Sequence, residues 1–225
     1  MPAVEIVLVH GSWHGSWCWE LLRPELDKLG RVTHVVDLPS MTGAQYGVEA
    51  DAKVVREKVD SIDGPVLLVG HSYGGEVVSQ ASVRAGNIAR LVYLAAFQID
   101  DGQSPLALSG RELPADLEFV PPFDNPIDTF YADVPADVAR DAVARLRPQS
   151  AQAARDRQIG AGWRDIPSTY IVCEQDKAVP PAVQEEMARQ ADDVRRLDAS
   201  HSPFLSMPSE LAALLADIAS AVDNS

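Results

Sequence analysis

A single serine stands among glycines in "PVLLVGHSYGGEVVSQA", residues 65–81. Gly70, Ser72 and Gly74 form a G-x-S-x-G pattern, preceded by an apolar run ending at Val69 and followed at once by a helix-like pattern. A strand that feeds a tight turn and then a helix puts its serine on a strained backbone, with Oγ exposed at the edge of the sheet. The glycines let strand and helix come close. The helix N-terminus behind the turn favours developing negative charge. A phosphate loop would need a lysine here, and a dinucleotide loop would need G-x-G-x-x-G; both are absent. Ser72 is therefore a candidate nucleophile.

A serine hydroxyl is a poor nucleophile until a base takes its proton. The chain has five histidines. His10 and His71 fall at expected strand ends beside glycines, His14 in a loop and His34 within a strand. His201, in "LDASHSPF", follows the last expected strand and can swing over the sheet edge. Its imidazole needs a carboxylate to fix the tautomer and stabilise the cation. "STYIVCEQDKAVPP" offers Glu174 and Asp176. Asp176 lies in the loop proper and is preferred; Glu174 is nearer the strand body, where a solvated end suits it, and Asp198 is a distant third. The order Ser72, Asp176, His201 is the nucleophile–acid–base order of hydrolases with a strand–turn–helix serine. Attack on a carbonyl also needs donors for the oxyanion. The backbone N–H of Tyr73 supplies one. "LVHGSWHGSWCW" (8–19) supplies the other from Ser12, with Gly11 allowing the turn. Trp17 and Trp19 are expected in the core around the first helix, and His14 in a structural hydrogen bond.

The elements that must hold these residues alternate along the chain. Apolar, β-branched runs at 4–10, 32–38, 65–71, 89–97, 168–174 and 193–199 predict strands. Helical spacing marks 17–30, 46–62, 75–86, 181–191 and 209–222. Such alternation argues an α/β fold: a mostly parallel, doubly wound sheet of about six strands with helices on both faces. The alternation breaks after the fourth predicted strand. Residues 98–165 are proline-rich and then helical, and a segment of this length outside the sheet is usually functional. It is expected to form a helical lid within one domain, 1–225. Its Leu106, Leu113, Phe119, Phe123, Phe130 and Tyr131 need something apolar to cover.

The bulk numbers set limits. A chain of 225 residues, 46 % apolar and 23 % charged, suits one globular domain. Against 33 acidic residues stand 19 basic ones, a net charge of −14. That field repels nucleic acid and anionic membranes, so neither is an expected partner. No apolar run reaches the length of a transmembrane helix, and the N-terminus lacks the signature of a secretory signal. The expected location is cytoplasmic. Cys18 and Cys173 are expected as reduced, buried thiols. No H-E-x-x-H and no Cys/His cluster is present, so neither a metal nor an organic cofactor is expected. The oligomeric state stays open, a homodimer included.

Taken together, "HGSWHGSWCW", "GHSYGG", "YIVCEQDKAVP" and a late histidine resemble the α/β-hydrolase superfamily. "AAFQIDDGQS" (95–104) and "LRPQS" (146–150) extend the likeness over nearly the whole chain. Within the superfamily the chain is similar to the small esterase and hydroxynitrile lyase branch, which includes plant methyl esterases and their bacterial relatives. The resemblance implies Ser72 as nucleophile, His201 as base, Asp176 as acid and the Ser12 and Tyr73 N–H groups as the oxyanion hole. Plant lyases of the branch have a threonine where this chain has Gly11 and a lysine directly after the histidine, where Ser202 stands. Methyl esterases share the glycine but carry methionine in place of Ser202. Epoxide hydrolases and haloalkane dehalogenases place aspartate at the elbow. The implied function is a serine carboxylesterase for small apolar esters, its substrate held near Gly11 and against Leu106, Phe119, Phe123, Phe130 and Tyr131. The rivals are a lyase or other non-hydrolytic use of the triad, and a ligand-binding protein on a hydrolase scaffold.

Overall fold

The computed structural model describes residues 3–110 and 112–224. Met1, Pro2 and Ser225, at the ends of the expected domain, and Arg111, in the expected insert, lie outside the described residues. In chain order the elements are β1 (Glu5–Val9), α1 (Leu22–Lys28), β2 (Thr33–Val36), α2 (Val48–Asp60), β3 (Val66–His71), α3 (Gly74–Ala81) and β4 (Ile88–Leu94). Then come α4 (Pro105–Leu108), β5 (Phe119–Val120), α5 (Pro126–Phe130), α6 (Ala136–Arg145), β6 (Gln149–Ser150) and α7 (Ala151–Arg155). The chain returns to the sheet with β7 (Ser168–Cys173), α8 (Pro181–Ala188), β8 (Asp193–Leu197), α9 (Pro203–Ser206) and α10 (Pro208–Asp223).

Six strands form one sheet in the order β2-β1-β3-β4-β7-β8, and every pairing in it is parallel. Alternate side chains of a strand face opposite sides. Ile6, Leu8, Leu67, Val69, Val92 and Leu94 pack on one face with Leu22 and Leu26 of α1 and Leu211, Leu215 and Ile218 of α10. Val7, Val9, Val66, Leu68, Leu91 and Tyr93 pack on the other with Val55 and Val59 of α2 and Val77 and Val78 of α3. Two buried faces explain why these strands are almost continuously apolar. The outer strands differ: β2 is mostly half-buried and β8 carries three exposed residues.

The helix expected over 17–30 is broken in two. A 3-10 turn covers Ser16–Trp19, and α1 runs only from Leu22 to Lys28. Pro24 supplies no N–H and so sits in the first turn of α1 rather than inside a longer helix. The helix expected over 75–86 stops at Ala81, and Arg84 takes a left-handed φ of 58°. Both cysteines are buried and free. Among the described residues no helix is long and apolar enough to cross a membrane.

Between β4 and β7 the chain leaves the sheet. There β5 and β6 pair antiparallel, Phe119 opposite Ser150 and Val120 opposite Gln149, and α4 to α7 surround them. The chain winds from β1 outward to β2, crosses back to β3 and then winds the other way. The gap beyond the C-terminal ends of β1 and β3 is thus the topological switch point, where open parallel sheets bind ligands. Ser12 follows β1 and Ser72 follows β3, one on each side of it.

Candidate active site

Ser72 has φ +53°, in the left-handed region that a side chain rarely adopts. Neighbouring backbone holds it there. Its N–H donates to the carbonyl of Leu94 at 3.2 Å, and its own carbonyl accepts from Gly75 at 3.0 Å and Phe97 at 3.1 Å. The turn requires two of its glycines. A Cβ on Gly70 would lie 2.6 Å from the Gly74 carbonyl oxygen, and one on Gly74 would lie 2.7 Å from the carbonyl oxygens of Val9 and His10. Strand and helix therefore approach at van der Waals distance, and the serine is forced to the tip.

His201, buried to 2 % exposure, carries the strongest polar contact here: its Nδ1 lies 2.6 Å from Asp176 Oδ2. A carboxylate only accepts, so Nδ1 is the donor, and in the neutral imidazole the lone pair is on Nε2. Asp176 is fixed by three further bonds. Oδ1 accepts from the N–H groups of Ala178 at 2.7 Å and Val179 at 3.0 Å, and Oδ2 accepts from Gln184 Nε2 at 2.9 Å. His71 supports the histidine from beneath. Its ring centroid is 4.5 Å from that of His201, and its Nε2–H donates to the His201 carbonyl at 2.9 Å. Burial holds His71 neutral, with its pKa well below the usual value. Glu174 and Asp198, the other two candidate acids, are exposed, and Asp198 accepts from Gln175 instead.

The loop after β1 is held by two more neutral histidines. His10 Nδ1–H donates to the Gly11 carbonyl at 2.9 Å, and its Nε2 accepts from the Leu38 N–H at 3.1 Å. His14 Nδ1–H donates to the Ser12 carbonyl at 2.7 Å, and its Nε2 accepts from the Tyr131 hydroxyl at 2.7 Å. Burial lowers the pKa of His14 to about 3, so it stays neutral and keeps this tautomer. Among the described residues, the N–H groups of Ser12 and Tyr73 find no protein acceptor. Gly11 packs directly behind the serine: a Cβ there would lie 2.8 Å from Ser72 Cβ.

Ser12, Ser72, Tyr73 and His201 line one cavity of about 450 Å³, to which the insert also contributes lining residues. Leu106, Phe123 and Phe130 line it with them, as do Trp13, Phe97 and Leu113. Trp13 packs against Phe123 and Phe130 at centroid distances of 5.2 and 5.6 Å. Phe119 and Tyr131 are placed elsewhere. Phe119 faces a shallow hollow beside Met41 and Arg147. Tyr131 is fully buried, and its hydroxyl is occupied by His14.

Sequence reading did not find four other residues. Gln184 braces Asp176. Asp133, in the insert, receives the Ser200 N–H at 2.8 Å and the Ser200 hydroxyl, which pins the loop carrying His201. Glu76 and Gln149 line the cavity itself. Only Glu76 had a local signal, an acid one helical turn after the candidate nucleophile, and such an acid also suits any helix N-terminus.

A serine on a left-handed elbow at the switch point of a parallel sheet, with a buried histidine–carboxylate pair beside it, defines a hydrolase architecture. The chain belongs to the alpha/beta hydrolase family, whose model matches residues 6–214. Its relatives place it among the esterase-type hydrolases of that family. It is 31 % identical to a carbendazim hydrolyzing esterase of Nocardioides sp. (strain SG-4G), over 93 % of this chain and 97 % of that one. It is 28 % identical to a pyrethroid hydrolase of Sphingobium wenxiniae, over 98 % and 89 % of the two chains. Among solved structures, a methylesterase from Arabidopsis superposes with a TM-score of 0.83 at 24 % identity, over 96 % of this chain and 99 % of that one, a likeness of fold.

Proposed function

We propose that the protein is a serine carboxylesterase that cleaves small, largely apolar esters through an acyl-enzyme at Ser72. His201 Nε2 takes the Ser72 proton as Oγ attacks the ester carbonyl. The oxyanion that forms is received by the N–H groups of Ser12 and Tyr73. Asp176 keeps the imidazole in the working tautomer and stabilises its cation. The imidazolium then protonates the leaving alcohol, which leaves the acyl group on Oγ. Water, deprotonated by the same histidine, attacks that acyl group; the acid departs and Ser72 regains its proton.

The observation that carries this reading is the buried His201 Nδ1–Asp176 Oδ2 contact of 2.6 Å, opening on the same cavity as Ser72. The segment 98–165 acts as the lid over the acyl or alcohol group, through Leu106, Phe123 and Phe130. No proton step needs a group outside the chain, substrate and water.

The test is hydrolysis of p-nitrophenyl acetate, butyrate and octanoate by the wild type and by Ser72→Ala. Turnover by the wild type, lost in a folded Ser72→Ala, is the expected result, and the chain-length preference measures the covered pocket. Turnover that survives the substitution overturns the assignment. A folded wild type inert to all three esters points instead to the binding-protein or lyase reading.

A further inference from the structure

Besides the proposed reacting groups, the hydrogen-bonded Ser109 and the exposed Asp124, two buried polar side chains line the cavity. Glu76, in the first turn of α3, lines it at 0 % exposure, and neither carboxyl oxygen has a hydrogen-bond partner. Gln149, from β6 in the insert, lines it at 3 % exposure with Nε2 unpartnered. A buried polar group without a partner costs stability, and native proteins keep few of them. Here two come from separate layers of the fold and meet on one cavity.

Among the described residues, no lysine or arginine lines this cavity. Burial, together with nearby Asp156 and Asp51, pushes the Glu76 carboxyl well above the usual carboxylate range, so it holds its proton. A neutral carboxyl is both donor and acceptor, and the Gln149 amide adds a second donor. The complement of that pair is a group with a carbonyl acceptor beside an N–H donor.

Resting on the proposed esterase chemistry, we infer that the preferred substrate carries a neutral carboxamide-like group besides its ester, and that Glu76 and Gln149 bind it. Glu76 O–H and Gln149 N–H donate to the carbonyl of that group, and its N–H donates to the second Glu76 oxygen. Glu76 is then a specificity residue, and its empty pairing is what a matching substrate fills. A site built this way disfavours an analogue that leaves its groups unpaired.

The experiment compares p-nitrophenyl esters with two to five methylenes between the ester carbonyl and a terminal carboxamide. Each is paired with the isostere ending in an isopropyl group and with a terminal ammonium analogue. The expected wild-type result is a kcat/KM at least about tenfold higher for the amide than for its isostere at the best length. Glu76→Leu is expected to reverse that ratio and to melt higher than the wild type by roughly 2–4 °C, because an orphaned buried carboxyl is gone. A glutamate that merely supports the fold would melt lower on replacement and would change both esters alike. Any one of three results overturns the inference while leaving the esterase reading intact: no amide preference at any length, an unchanged ratio in Glu76→Leu, or preference for the ammonium ester. Failure to hydrolyse any ester overturns the esterase reading and takes this inference with it.

Discussion

Gln184 Nε2 donates to Asp176 Oδ2 at 2.9 Å, the same oxygen that His201 Nδ1 approaches at 2.6 Å. The amide has no freedom to turn. Its Oε1 accepts from the Cys173 N–H at 3.0 Å, and Nε2 also donates to the Val179 carbonyl at 2.7 Å. The carboxylate is thus braced by α8 as well as by its own loop. Gln184→Leu keeps the volume and removes the brace. We expect kcat on a p-nitrophenyl ester to fall roughly 10–100-fold, as misplacement near reacting groups does. Stability should fall by about 1–3 kcal/mol for each group left unpaired. Chemical denaturation beside steady-state kinetics reads both, and an unchanged kcat in a destabilised variant would reduce Gln184 to a purely structural role.

The choice between the two acids of the β7 loop is open to a direct comparison. Asp176→Asn keeps the shape but lets the imidazole turn to the wrong tautomer, and comparable changes cost about 10⁴-fold in kcat. Glu174 is exposed and it is Asp176 that bonds the imidazole, so Glu174→Gln should stay within about twofold of the wild type. The opposite ranking would move the acid to Glu174.

The turn at Ser72 was legible because its signal is local. Gly70, Ser72 and Gly74 announce the elbow because only glycine tolerates the 2.6–2.7 Å approaches that a Cβ would make there. The order of Asp176 and His201 followed from the strands they end; β7 is legible because both its faces are buried, whereas β8, with three exposed residues, is marked mainly by its place after α8. The braces were not legible. Gln184 lies on a helix whose polar residues read as a solvent face, and Asp133 meets Ser200 across 67 residues. The insert was the hardest part. Its aromatics declare that something is covered, but not which ones cover it: Phe123 and Phe130 reach the cavity, while Tyr131 spends its hydroxyl on His14. Tertiary contacts decide that, and no spacing encodes them.

Gly11 tests the packing behind the serine. Its added Cβ would lie 2.8 Å from Ser72 Cβ, 3.1 Å from His71 Nδ1 and 3.2 Å from the His71 carbonyl oxygen. None of these is the far end of a flexible chain, so the serine or the loop after β1 must shift. Gly11→Ala should cost on the order of 10²-fold in kcat/KM through misplacement, with an overpacking cost of about 1–3 kcal/mol. Wild-type kinetics in this variant would show that the elbow has more room than the contacts indicate.

Two buried groups, Asp51 and His14, oppose each other in the dependence of stability on pH. Asp51 accepts from the Ser40 N–H at 2.9 Å and the Tyr73 hydroxyl at 2.7 Å, yet burial raises its pKa from 3.8 to about 6. The folded state therefore binds more protons than the unfolded state between those values. Its contribution is present below about pH 4 and is lost as pH rises towards 6, by about 3 kcal/mol. His14 has the opposite sign. Its pKa is lowered from 6.5 to about 3, so the unfolded state binds the extra proton and stability is lost as pH falls below 6.5. Each slope is about 1.4 kcal/mol per pH unit, so the two nearly cancel between about pH 4 and 6. Single variants should separate them. Relative to the wild type, Asp51→Asn should gain about 2–3 kcal/mol between pH 4 and pH 7, while His14→Asn should gain about 3 kcal/mol in the other direction, from pH 7 to pH 4. Denaturation curves across that range measure both, and differences that stay constant with pH would mean that neither group titrates as its burial requires.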